Sequence, residues 1–112
     1  MNYKKSDEDV AKLVQGGNMK AFGILVDRYE KKLLRYGKRF LFNYENIQDV
    51  VQDVFIKVYI NIKSFDSQRK FSSWIYRIAH NEFINVIKKN QKEPLPFFNF
   101  DTIFSITSGE DI

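Results

Sequence analysis

The sequence predicts an all-α fold, a compact bundle of about four helices with an irregular C-terminal tail. Apolar residues recur at three- and four-residue steps through four successive segments, the spacing of helices that each bury one face. Helix-stopping stretches separate those segments: Gly16-Gly17, Asn43 to Glu45, the polar loop 65–70, and Glu93-Pro94-Leu95-Pro96. Only 5 glycines in 112 residues, with 44% apolar side chains, describe a packed chain rather than a disordered one.

Each element has its own justification. Ser6 ahead of Asp7-Glu8-Asp9 is a capping pattern, and Val10, Leu13 and Val14 supply the rhythm of a short first helix. Gly16-Gly17 ends it, and Asn18 can cap a second helix over roughly 19–42. Phe22, Leu25, Val26, Tyr29, Leu33, Tyr36 and Phe40 share one face of that helix. Arg28, Lys31, Lys32, Arg35, Lys38 and Arg39 crowd the rest, as a solvated face of which a share can meet phosphate or an acidic protein. A third helix over about 46–63 carries Ile47, Val50, Val51, Val54, Phe55, Val58, Tyr59 and Ile62 in a nearly unbroken stripe. Burial of that stripe outweighs the modest helix cost of its β-branched residues. Asp49, Gln52, Asp53, Ile56 and Ile60 project from the opposite side. Isoleucines in line with carboxylates and an amide, away from the core, describe a protein contact surface. The fourth helix starts at Phe71 or Ser72 and buries Phe71, Ile75, Ile78, Ala79 and Val86.

Composition excludes several function classes. A chain of 112 residues builds one core. Without cysteine there is no disulfide framework or thiolate metal site, and His80, the single histidine, makes no metal cluster alone. No nucleophile–base pair or glycine-rich phosphate loop is present, so neither an enzyme nor a cofactor is expected. No apolar run approaches ~20 residues, so no membrane insertion is expected. The polar start, M-N-Y-K-K-S-D-E-D, is unlike a signal peptide, and the expected compartment is the cytoplasm. The net charge of +4 is uneven: residues 1–92 hold 18 basic and 10 acidic side chains, whereas 93–112 hold four acidic and no basic ones. A basic body suits a polyanionic partner.

Residues 65–92 hold the equipment for one. Arg77, Asn81, Asn85, Lys88 and Lys92 fall on one side of the fourth helix at ~100° per residue. Trp74 stands at the edge of that side, with Phe65, Lys70 and Tyr76 close in sequence. Aromatic rings offer faces for unstacked bases, amides read base edges, and cations hold phosphates. Phe65, in a polar loop, is the best stacking candidate. Phe71 and Trp74 suit the core better than a stacking role, and Tyr76 suits either.

The strings I-Q-D-V-V-Q-D-V-F-I-K-V-Y (47–59), S-F-D (64–66) and F-S-S-W-I-Y-R-I-A-H-N (71–81) closely resemble bacterial sigma factors. The resemblance is to region two of the extracytoplasmic-function (ECF) group, in the sigma-seventy superfamily, over roughly residues 6–92. It implies a factor that directs core RNA polymerase to promoters, melts the −10 element and holds its non-template strand as single-stranded DNA. Asp49, Gln52, Asp53, Ile56 and Ile60 then match the surface that docks on the clamp helices of the polymerase β′ subunit. The implied DNA-binding set is Phe65, Asp66, Ser67, Lys70, Phe71, Ser72, Trp74, Tyr76, Arg77, Asn81, Asn85, Lys88 and Lys92. Within it the loop 65–72 takes in a flipped −10 base, Asn81 contacts −10 bases, and Arg77, Lys88, Lys89 and Lys92 hold the backbone.

The family's second helical domain, whose helix-turn-helix reads the −35 element, has no counterpart in these residues. Residues 93–112 match the start of the interdomain linker, and Phe97, Phe98, Phe100 and Phe104 make it more apolar than a free linker needs. It either folds back on the bundle or meets a partner such as an anti-sigma factor. The rival to a sigma-factor domain is a helical protein-interaction adaptor whose basic surface only solubilises it.

Overall fold

The computed structural model describes residues 4–90. Lys92 and the expected tail 93–112 lie outside the described residues. Four helices follow in order: α1 (Asp7–Gln15), α2 (Met19–Gly37), α3 (Tyr44–Asn61) and α4 (Phe71–Asn90). A short 3-10 turn, Ile62–Ser64, continues α3. No strand occurs among the described residues, so the expected all-α class holds.

The expected caps are in place. Ser6 Oγ accepts from Asp9 N at 3.0 Å, and Asn18 Oδ1 accepts from Ala21 N at 3.1 Å. Between them Gly17 takes a φ of 99°. Asn18 N donates to Leu13 O and Gly17 N to Val14 O, the paired bonds of a Schellman ending, which a glycine adopts without strain. Asn43 caps α3 by accepting from Glu45 N and Asn46 N, so α3 begins two residues before the expected start.

Helix α1 packs mainly on α2, and α3 packs on both α2 and α4. Leu25, Leu33, Ile47, Val54, Val58, Phe71, Ile75 and Phe83 are fully buried between them. Each such side chain contributes ~1.5–3 kcal/mol of burial free energy.

Several expectations need correction. Helix α2 ends at Gly37, five residues short of the expected 42. A tight turn follows, with Phe40 N donating to Gly37 O, and it swings Phe40 inward to stack on Phe83 (centroids 5.1 Å apart, planes at 9°). Phe42 is left fully exposed beyond that turn. Tyr59, expected in the buried stripe of α3, is also exposed, since the stripe follows Val51, Val54, Val58 and Ile62 as the helix rotates. In α4 the stripe continues through Phe83, Ile84 and Ile87, leaving Ile78 and Val86 half-buried.

Candidate nucleic-acid interface

The connection from α3 to α4 forms the wall of a cavity. Asp66 organises the turn: its Oδ1 accepts from Gln68 N at 2.9 Å, and its carbonyl accepts from Arg69 N at 2.9 Å. An Arg69–Asp66 ion pair at 3.7 Å is exposed and adds little stability. The chain re-enters helix at Phe71, whose N–H donates to Glu8 Oε2 at 2.7 Å. Between turn and helix lies a cavity of about 560 Å³, lined by Ser64, Phe65, Asp66, Gln68, Arg69, Lys70, Ser73, Trp74 and Arg77. That volume falls within the ~300–1,000 Å³ of small-ligand clefts. Its lining joins an indole, amide and hydroxyl groups, and three cations, which together can stack a base, bond its edge and neutralise its phosphate.

Five of the sequence-predicted residues line this cavity, Phe65, Asp66, Lys70, Trp74 and Arg77, and the position of Phe65 is a correction. Phe65 is only 5% exposed, its ring set against Phe71 at 5.4 Å and Trp74 at 5.1 Å. An apolar ring gains more from that aromatic cluster than from solvent, so Phe65 forms the cavity's floor rather than a free stacking face. Phe71 is completely buried, in the core that its sequence suited better than a stacking role. Trp74 and Ser72 are half-buried, and Asp66 and Lys70 are exposed, while Ser67 is half-buried. Tyr76 packs edge-to-face on Tyr36 at 5.3 Å and Tyr29 at 6.4 Å, and remains half-buried. Arg77, Asn81, Asn85 and Lys88 are all exposed along α4, in one line leading away from the cavity.

A second recess borders this line. Lys32, Arg35 and Tyr36 from α2, Arg39 from the turn after it and Tyr76 from α4 line a space of about 520 Å³. The cations sit on aromatic faces: Lys32 Nζ lies 5.2 Å from the Tyr29 ring, and the Arg39 guanidinium 5.3 Å from Tyr36. Tyr36 Oη is also 2.8 Å from His80 Nδ1, tying α2 to α4. Sequence reading left these cations as chiefly solvated, and it missed Gln68, Arg69 and Ser73 in the cavity. Part of the signal was present in the spacing of Lys32, Arg35 and Tyr36, which places them on one side of α2.

The other face is different in character. Asp49, Gln52, Asp53, Ile56 and Ile60 are all exposed on α3, Ile56 and Ile60 by 51% and 68%. Gln52 and Ile56 join Met19, Phe22, Phe55 and Tyr59 around an apolar depression of about 380 Å³. Tyr59 holds that patch together, with Oη donating to Met19 Sδ at 3.3 Å and its ring edge-on to Phe22 at 5.2 Å. Beside it, Glu30, Gln48 and Asp49 rim a groove floored by Val26, Leu34, Val51 and Phe55. Apolar centre and acidic rim together are the anatomy of a protein-binding surface.

Among the described residues no helix is long and apolar enough to cross a membrane, and no cluster of metal-ligating side chains occurs.

Comparison with known proteins identifies the family. The family described as Sigma-70 region 2 matches residues 25–93. The ECF RNA polymerase sigma factor SigW of Bacillus subtilis is 43% identical over 82 residues, 73% of this chain and 44% of SigW. The ECF RNA polymerase sigma-E factor of Haemophilus influenzae is 39% identical over 98 residues, 84% of this chain and 49% of that protein. The chain thus spans about half the length of the curated relatives it matches. Among solved structures, an engineered region 2 of sigmaE in complex with GTAAAA superposes with a TM-score of 0.74 at 38% identity, covering 85% of this chain and 100% of that one. CnrH in complex with the cytosolic domain of CnrY superposes with a TM-score of 0.68 at 32% identity, covering 72% of this chain and 53% of CnrH. The chain belongs to the sigma-70 region 2 family, within the ECF group of sigma factors.

Proposed function

We propose that this chain is a non-enzymatic transcription-initiation module. It docks on core RNA polymerase through α3 and holds the non-template strand of the promoter −10 element as single-stranded DNA. The cavity lined by residues 64–77, continued by Asn81, Asn85 and Lys88 along α4, carries the reading. A base leaving the duplex loses a few kcal/mol of stacking, which an aromatic-floored pocket with polar walls can offset. Trp74 supplies the accessible ring, with Phe65 and Phe71 behind it. Asn81 can donate and accept at a base edge, while Arg77 and Lys88 hold phosphates and give affinity without sequence preference. The basic recess of Lys32, Arg35 and Arg39 extends the phosphate track onto α2. The solved sigmaE relative bound to GTAAAA supports this path.

On the α3 face, Ile56 and Ile60 give a dry centre, and Asp49 and Asp53 pair with basic residues on the β′ clamp helices. A protein regulator, such as an anti-sigma factor, is a further proposed partner, supported by the solved CnrH relative with its CnrY domain. The proposed compartment is the cytoplasm, where core polymerase acts.

The test is fluorescence anisotropy with a labelled GTAAAA oligonucleotide and a scrambled control. Asn81→Ala should weaken binding by about tenfold, the effect of losing one good base-edge contact. A helical adaptor without DNA binding predicts no saturable binding by either chain.

A further inference from the structure

Helix α1 grips the α3–α4 connection at both ends. Gln15, its last residue, donates from Nε2 to Ile62 O and to Phe65 O, both at 2.8 Å. Two carbonyls converging on one nitrogen require the amide's NH2 end, the only part of the side chain with two donors. At the start of α1, Glu8 Oε2 accepts from Phe71 N at 2.7 Å. Phe71 opens α4, so its N–H is among those that a helix leaves without an internal partner. Its partner comes from 63 residues away in sequence rather than from a neighbouring cap. Between the two grips lie Asp66 to Lys70, a polar stretch of which Asp66, Gln68, Arg69 and Lys70 are exposed and line the cavity. No residue of α1 lines the cavity itself.

We propose that Gln15 and Glu8 are positioning residues that hold the loop 65–70 in its base-receiving form before DNA arrives. The inference rests on the DNA reading above. A loop fixed in advance loses little conformational entropy at capture, so base stacking and hydrogen bonding appear more fully as affinity. Phe65 is the pivot: Gln15 pins its carbonyl while Phe71 and Trp74 enclose its ring. Releasing the carbonyl loosens the cavity floor and, with it, the seat of Trp74. The effect should fall on capture of the base and spare the phosphate track.

The experiment uses the 112-residue chain and its single tryptophan, Trp74, as reporter. Wild type, Gln15→Met, Glu8→Ala and Glu8→Gln are titrated with GTAAAA and with versions made abasic at each position in turn. Methionine keeps the length of Gln15 without its donors; glutamine at position 8 keeps an acceptor oxygen. Wild type should lose affinity when the captured base is missing. Gln15→Met should bind the intact strand about tenfold more weakly, the effect of two lost hydrogen bonds, and its preference for intact over abasic should shrink by a similar factor. Its salt slope should be unchanged, because the phosphate contacts remain. Glu8→Ala should move the same way and Glu8→Gln should recover. If Gln15→Met unfolds, the Glu8 pair carries the same comparison.

A merely structural role predicts a lower melting temperature and a smaller active fraction with the intact-to-abasic ratio untouched. That result overturns the proposal. Equal discrimination by wild type and every variant overturns it too, whereas a wild type that binds no oligonucleotide overturns the DNA reading beneath it.

Discussion

Gly23 and Gly37 lie on the same helix, and a methyl group should act oppositely at the two. A Cβ at Gly37 falls 2.6 Å from Ile47 Cγ2 and 2.6 Å from Phe83 Cζ, both on fully buried side chains with no room to retreat. Gly37→Ala should therefore destabilise by ~1–3 kcal/mol, the range for overpacking. A Cβ at Gly23 meets nothing within 4 Å, so Gly23→Ala should stabilise by ~0.5–1 kcal/mol through helix propensity. Urea unfolding of the two variants at unchanged m-value checks both signs, and a stabilising Gly37→Ala would refute the packing described. Tyr29 offers a pH test at the same scale. Burial, and then the 2.5 Å hydrogen bond to Asp7 Oδ2, push its pKa upward. The folded chain keeps that proton where the unfolded tyrosine, with a pKa near ~10, releases it. The contribution is therefore complete below about pH 10 and falls as pH rises further. Tyr29→Phe should be less stable by ~1–3 kcal/mol at neutral pH, and the gap should narrow above about pH 10 in paired urea titrations. A gap that stays constant to higher pH would mean that the phenol proton contributes nothing.

Helix α4 converts a linear spacing into one exposed line of side chains, the proposed DNA track, because a helix fixes which residues share a side. Lys88 stands on that track, exposed beyond Asn81 and Asn85. Lys88→Ala should weaken binding to matched and scrambled strands alike and reduce the slope of log K against log salt by ~0.7, the value for one phosphate contact on a single strand. An unchanged slope in anisotropy titrations over a salt series would remove Lys88 from the track. This line was legible in the sequence, as were the caps at Ser6 and Asn18 and the exposure of Asp49, Gln52, Asp53, Ile56 and Ile60 on α3, because each depends on neighbours within a turn or two. The features that escaped depend on distant partners. Gly37 is itself a local stop signal for α2, but Phe40 turning in to stack on Phe83 depends on a residue more than forty positions away. Phe65 looks solvent-facing in a polar loop, and only the arrival of Phe71, Trp74 and α1 buries it. Glu8 reads as a first-turn acid of α1, yet it also caps α4. The second basic recess was half legible: the spacing on α2 was visible, but Tyr76 as its opposite wall was not.

At the scale of the whole molecule, one small core holds two surfaces of opposite chemistry. The cavity proposed to receive a base is lined by residues 64–77, and the apolar and acid-rimmed depressions are lined by α2 and α3 residues, with none in common. Both rest on the same buried side chains, so a mutation in the core should disable the two together, while a surface mutation should disable one. Variants without shared contacts are expected to act independently. Asp53→Lys reverses a charge on the α3 face and should weaken binding to purified core polymerase by about tenfold or more. Its affinity for the −10 oligonucleotide should stay within about twofold of wild type, or rise slightly through the added positive charge. Asn81→Ala should show the converse, and the double variant should combine the two losses without coupling. Measuring both affinities for all four chains closes the cycle. Loss of both activities from either single variant, in a chain that still melts cooperatively, would mean that the surfaces communicate through α3 and α4, whose Lys57–Glu82 ion pair at 2.6 Å would then be the first contact to remove.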